Sequence, residues 1–166
     1  MIETARLIIR ELDSSDTEGL ASILSDPEVM KFSTVGVRDK EAIRLYIKNC
    51  RQNYLTHGYG QWGVFSKETD EVVGVAGLNN SLVQEQELVH VSYRFKVSEQ
   101  GKGLAKETIR AILEFSSNRL GLLELHAMID RENVRSRHLA KKVGFRYRSQ
   151  SSFRNQSVDI FHIALD

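Results

Sequence analysis

The chain has 166 residues, 41% of them hydrophobic and 27% charged, which is enough for one buried core and typical of a soluble globular protein. A formal net charge of +1 excludes a general attraction to nucleic acid or anionic membrane, and no run approaches the ~20 apolar residues of a membrane helix. The single cysteine, Cys50, excludes an internal disulfide and suits a reducing, cytoplasmic setting.

Residues 6–10 are short, β-branched and bounded by charge, so they read as a first strand. The oxygens of Asp13 and Asp16 suit a helix start, and Leu20, Ile23 and Leu24 follow at helical spacing. Pro27, the one proline, marks the end of that helix or the start of another turn. Asp39 caps a second helix carrying Ile43, Tyr46, Ile47 and Tyr54 on one face, and Gly58 closes it. Residues 61–66 and 71–78 form a predicted hairpin around the polar turn 67–70. Residues 88–97 read as a longer, half-buried strand. There Val89, Val91, Tyr93, Phe95 and Val97 alternate with His90, Ser92, Arg94 and Lys96. A helix begins near Leu104 with Thr108, Ile109, Ile112 and Phe115 inward. Residues 122–129 form a strand, Asn133 caps a short helix ended by Gly144, and strands near 145–150 and 158–165 finish the chain. With no linker, repeat or low-complexity segment, residues 1–166 read as one α+β domain with a mixed sheet.

The strand-to-helix junction Gln100-Gly101-Lys102-Gly103-Leu104-Ala105 is the most informative stretch. Unpaired N–H groups and the helix dipole favour an anion at such a junction, and glycines let it approach closely. The P-loop needs Lys after its last glycine, and Leu104 stands there. The dinucleotide fingerprint needs Gly or Ala where Lys106 stands. The pattern Q/R-x-x-G-x-G/A is matched in full.

That pattern marks the pyrophosphate loop of acyl-CoA-dependent N-acetyltransferases. The chain resembles the GNAT fold family, and within it the branch that acetylates the N-terminal alanine of ribosomal proteins. The resemblance runs in order through Thr4-Ala-Arg-Leu-Ile-Ile-Arg, Ser25-Asp-Pro-Glu-Val-Met, Gly60-Gln-Trp-Gly-Val, Glu71-Val-Val-Gly-Val-Ala-Gly-Leu, and Asn133 and Ser136 followed by Lys142, Gly144 and Phe145. It implies a mixed, mostly antiparallel twisted sheet of about seven strands with about four helices, splayed between the fourth strand (88–97) and the fifth (122–129). It also implies acetyl-CoA as cosubstrate and no metal. The backbone of Phe95, Lys96 and Val97 would bind the pantetheine, the amides of Gln100, Gly101, Lys102, Gly103, Leu104 and Ala105 the pyrophosphate, and Asn133 and Ser136 the arm near the sulfur.

Amine acetylation needs a neutral amine, a polarised carbonyl and a proton for the thiolate. Relatives in this branch carry a carboxylate three residues before the strand tyrosine. Here the tyrosine is Tyr93 and that place holds His90, an imidazole able to act as base near neutrality without a large pKa shift. Ser136 is the candidate acid, with Tyr93 as its substitute. Relatives also carry Glu-Gly soon after the Gly-Phe pair, whereas Arg146-Tyr147-Arg148-Ser149 follows Gly144-Phe145 here. Arg146, Arg148 and Arg154 form either a solvated basic face or a preference for a carboxylate-bearing acceptor. The expected reaction is acetyl transfer to a primary amine, on a protein N-terminus or a small molecule, by a monomer or homodimer without nucleic-acid or membrane partners. The alternative is a CoA-binding regulatory protein of the same fold with little turnover.

Overall fold

Local chemistry sets most of the element boundaries. The computed structural model describes residues 1–166. Strands β1 (Ile2–Glu3) and β2 (Leu7–Arg10) form the first antiparallel pair. Asp13 and Asp16 then close a reciprocal capping box, which starts a 3-10 turn and helix α1 (Thr17–Leu24). Helix α2 (Lys40–His57) begins where the Asp39 carboxylate accepts the Ala42 N–H, and it ends at Gly58. Strands β3 (Gln61–Ser66), β4 (Val72–Val83) and β5 (Gln86–Phe95) make an antiparallel meander. Helix α3 (Leu104–Asn118) leads to β6 (Glu124–Asp130). Helix α4 (Val134–Lys142) leads to the hairpin of β7 (Arg146–Phe153) and β8 (Gln156–Ala164).

The strands form one sheet in the order β1-β2-β3-β4-β5-β6-β8-β7. Every neighbouring pair is antiparallel except β5 and β6. Tyr46, Cys50 and Tyr54 bring α2 over one face, and α1 packs beside it. The other face carries α3, whose Phe115 meets Trp62 edge-on at 5.6 Å, and α4, whose Ser136 meets Tyr93. Thirty buried side chains form one continuous core through these layers.

Three sequence expectations change. The sheet has eight strands rather than about seven, because the two-residue β1 is too short to leave an alternation. The strand expected to stop at residue 78 runs to Val83, and the next begins at Gln86. Gln84 and Glu85, both at positive φ (48° and 64°), close the hairpin with neither glycine nor asparagine to signal it. The polar positions of β5 are not the solvent side of a half-buried strand. His90 is buried, and Ser92 and Arg94 lie beneath α2, so both faces of β5 are covered.

At Gly77, a Cβ would lie 2.0 Å from the Gly60 carbonyl oxygen and 2.8 Å from Gln61 Cα, so β3 and β4 approach too closely for any side chain. Gly77→Ala should destabilise the protein by about 1–3 kcal/mol or more, read as a lower Tm in thermal denaturation, because the obstructing atoms are backbone.

Candidate active site

Strands β5 and β6 touch at a single parallel bridge, His90 opposite His126. Beyond it, β5 stays with β4 as far as Phe95, and β6 stays with β8 as far as Asp130. The sheet therefore parts into a crevice. The Lys96 N–H bonds the Val73 carbonyl across β4. Alternation along an antiparallel ladder then turns the N–H groups of Tyr93 and Phe95 toward the crevice. Donors so placed can hold an amide-bearing chain or polarise a carbonyl. The Phe95 carbonyl already accepts from Gln100 Nε2 at 3.1 Å, and the Lys96 amide is committed to β4, while the Val97 N–H has no acceptor in the protein.

The loop from β5 to α3 follows directly, tied to α4 through Gln100 and Arg135. Gly101 and Gly103 adopt left-handed φ of 77° and 81°. A Cβ on Gly101 would meet nothing within 4 Å, and one on Gly103 only Arg6 Nη2 at 3.6 Å. The glycines thus serve backbone shape and close approach, not packing. The N–H groups of Gly101, Lys102, Gly103, Leu104, Ala105 and Lys106 have no acceptor in the protein. Gln100 differs: its N–H is bonded to the Val97 carbonyl, and its side chain bridges Phe95 to Arg135 of α4 at 2.9 Å. A side-chain tie holds the loop from behind. Glu107 accepts from Thr4 Oγ1, the Arg6 N–H and Arg6 Nε, and Arg6 Nη1 donates to the Lys102 carbonyl at 2.9 Å. Sequence reading missed this tie, since 101 residues separate Arg6 from Glu107.

Tyr93 and Ser136, 43 residues apart in sequence, meet inside the crevice, where the phenol donates to Ser136 Oγ at 3.0 Å. Burial pushes the Tyr93 pKa up, so the phenol keeps its proton. Asn133 caps α4, its Oδ1 accepting the Ser136 N–H at 3.2 Å, and it also lines the crevice of about 140 Å³. Ser92, Arg94, Met128 and Asp130 line that crevice and also a larger cavity of about 440 Å³ on the α2 face. The two spaces therefore adjoin where the sheet parts.

His90 lies in the wall of the larger cavity, its Nε2 2.9 Å from Ser81 Oγ. An unshifted imidazole was expected there. Burial, with Arg154 and His126 adding to it, instead pushes its pKa down to about 4. At His126 burial is again the main cause and again lowers the pKa, against an opposing pull from Glu124. Arg148 Nη1 stands 2.9 Å from His126 Nε2; a guanidinium can only donate, so that nitrogen accepts and the ring is neutral. Arg146 and Arg148 are both exposed, and Arg148 also reaches the buried His126. Arg154 overhangs the cavity from the β7–β8 turn and reaches Thr34 Oγ1 at 3.4 Å.

Two buried neutral imidazoles make folding sensitive to acid. The unfolded chain takes up their protons below the ordinary histidine value, and the folded chain does so only at lower pH, so stability is lost as pH falls. For His90 the window runs from 6.5 to about 4 and corresponds to on the order of 3 kcal/mol. Wild-type Tm should fall between pH 7 and pH 5, and His90→Asn should flatten part of that slope in thermal melts.

Residues 6–146 match the model of the acetyltransferase (GNAT) domain family. A relative from Bacillus licheniformis, "Uncharacterized N-acetyltransferase p20", is 26% identical over 167 residues, spanning 98% of this chain and 93% of its own. The crystal structure of a GNAT-family acetyltransferase from Bacillus anthracis superposes with a TM-score of 0.82 at 23% identity, covering 99% of this chain and 96% of that one. RimL, a ribosomal L7/L12 α-N-protein acetyltransferase solved with coenzyme A, superposes with a TM-score of 0.81 at 16% identity, covering 98% and 96%. The family match agrees with the unpaired amides of the glycine loop and the crevice they border: the chain belongs to the GNAT acetyltransferase family, and it is an acetyl-CoA-dependent acyltransferase.

Proposed function

We propose that this protein transfers the acetyl group of acetyl-CoA to a primary amine held on the α2 face of the sheet. The observation that carries this reading is the parting of the sheet: the Tyr93–Ser136 pair lies in the crevice, a polar cavity adjoins it on the α2 face, and the open amides of the glycine loop follow shortly after β5. Acetyl-CoA supplies the thioester carbonyl. The open amides of residues 101 to 106 take its pyrophosphate, with Asn133 beside the pantetheine arm. The Tyr93 or Phe95 N–H polarises the carbonyl. Ser136 Oγ, which accepts from Tyr93, turns its own proton toward the sulfur as the thiolate leaves. His90, neutral at pH 7, is too weak a base to strip a free ammonium ion. It receives the proton as the amine attacks and its nitrogen becomes more acidic, directly or through Ser81 and water.

The reading is tested by incubating the protein with acetyl-CoA and a panel of primary amines, with products identified by mass spectrometry. An acetylated amine supports it. Tight CoA binding without acetylation of any amine would instead favour a regulatory CoA-binding role.

Gly103→Ala should weaken CoA binding about tenfold or more in calorimetry, since hydrogen bonds to a charged ligand are each worth ~1.5–3 kcal/mol. Gly121→Ala is the control: Gly121 also has a left-handed φ, at 64°, with nothing within 4 Å of its Cβ position. It should carry similar strain and leave CoA affinity unchanged.

Ser136→Ala should lower the single-turnover rate about tenfold with near-normal acetyl-CoA affinity, as expected for an interaction formed mainly in the transition state. The Asn133 cap survives, because it binds the Ser136 backbone. Tyr93→Phe should give a similar loss, and the double variant should lose less than the combined single effects, because the two hydroxyls act as one unit.

A further inference from the structure

We propose that the acceptor is a small amine bearing a carboxylate or phosphate, and that Arg94 and Arg38 hold this anionic group at the inner end of the α2-side cavity. The proposal rests on the acetyl-transfer reading and adds the class of the acceptor.

Arg38, Arg94 and Arg154 all line the cavity, and none takes part in any ion pair within the protein. Three arginines that meet buried carboxylates give the contrast. Arg10 is paired with buried Asp16 at 2.9 Å, and Arg131 and Arg137 converge on buried Asp159 at 3.6 and 3.2 Å. The cavity has one carboxylate, Asp130. Its oxygens already accept from the Glu132 N–H at 2.8 Å and Gln156 Nε2 at 3.1 Å.

Unmade hydrogen bonds gather at the same place. Arg38 Nε, Tyr46 Oη and both amide atoms of Gln61 are buried without a partner. The Arg38 guanidinium lies over the Tyr46 ring, 5.0 Å from its centroid. Arg94 makes no side-chain hydrogen bond, and burial pushes its pKa down, with Arg38 adding a repulsive contribution. Two neighbouring cations and a phenol donor left unpaired inside a protein are costly. An anion there would satisfy the guanidinium groups with charge-assisted hydrogen bonds.

Arg94 also sets the size of the acceptor. It borders both the cavity and the crevice that holds Tyr93 and Ser136. The anion and the attacking amine are therefore only a few bonds apart, as in an amino acid or an aminoalkyl phosphate. The cavity of about 440 Å³ suits such a molecule. It falls within the ~300–1,000 Å³ typical of small-molecule sites.

The test compares matched amines by kcat/KM: L-amino acids against their amides, O-phosphoethanolamine against ethanolamine, and a free N-terminal hexapeptide with acidic residues. The charged member of at least one pair should exceed its neutral partner about tenfold or more, as expected for hydrogen bonds to a charged group. Whichever pair responds distinguishes carboxylate from phosphate. Arg94→Gln and Arg38→Gln should remove the preference, mainly by raising KM. Equal use of both members in every pair, a preference that survives both substitutions, or a preference for the hexapeptide over every small amine would overturn the proposal. Should no amine be acetylated, the acetyl-transfer reading fails on its own. The anion site is then judged by titrating CoA-saturated protein with inorganic phosphate and with succinate. Stabilisation of wild type that is lost in Arg94→Gln keeps the site, and no stabilisation of wild type overturns it. Arg94→Met, which removes an unpaired buried charge, should melt no lower than wild type without ligand. A lower Tm would assign Arg94 a structural part and overturn its role as an anion ligand.

Discussion

The single bridge between His90 and His126 is the constraint on which the rest of the structure depends. A sheet resists partial opening, because each separated pair strands backbone donors and acceptors. Here the cost is contained, because each half is built around its own strong ladder. β5 is paired with β4 along its whole length, and β6 with β8 along its whole length. The bridge keeps the halves in register at one point, and the backbone beyond it is left for a bound chain to use. Both imidazoles at the vertex are buried, and both remain neutral, which lets two ionisable side chains stand side by side without charge.

The two faces of the opening have different chemistry. On the α3 and α4 face the unpaired donors are mostly backbone: the glycine loop presents N–H groups, and its shape is held by Arg6 and Glu107. Burial pushes Glu107 up, but hydrogen bonds from Thr4 and Arg6 outweigh it and hold the carboxyl below its usual range, so the tie stays charged. On the α2 face, positive charge comes from side chains, with Arg38, Arg94 and Arg154 supplied by the segment before α2, by β5 and by the β7–β8 turn. Backbone amides keep their geometry whatever the side chains are. Side chains can be exchanged without disturbing the fold.

The α2-side cavity also shows why the polar half of β5 resisted a sequence reading. His90, Ser92 and Arg94 alternate with apolar residues as the outer face of a half-exposed strand would. The same alternation arises when that face is roofed by a helix and lines a cavity. Period alone does not distinguish water from a pocket. One cue was present, a histidine and an arginine in the middle of a long strand, but the α2 residues that enclose them lie more than thirty positions away.

The amino-acid sequence by itself determined the features that arise from near neighbours. The caps at Asp13, Asp39 and Asn133, the glycine junction at residues 101–103, the central parts of β4 and β5, and α3 follow from local propensity and period, and the ordered family motifs placed them in one architecture. Tertiary structure alone decided what depends on distant residues meeting. It brought Tyr93 to Ser136, Arg6 to Glu107 and Arg148 to His126. It also lowered the His90 pKa to about 4 by burying a ring that the sequence left at its ordinary value. The physical reason is that burial, and the pairing or isolation of a charge, are properties of an enclosure, and an enclosure exists only after strands and helices far apart in the chain have packed.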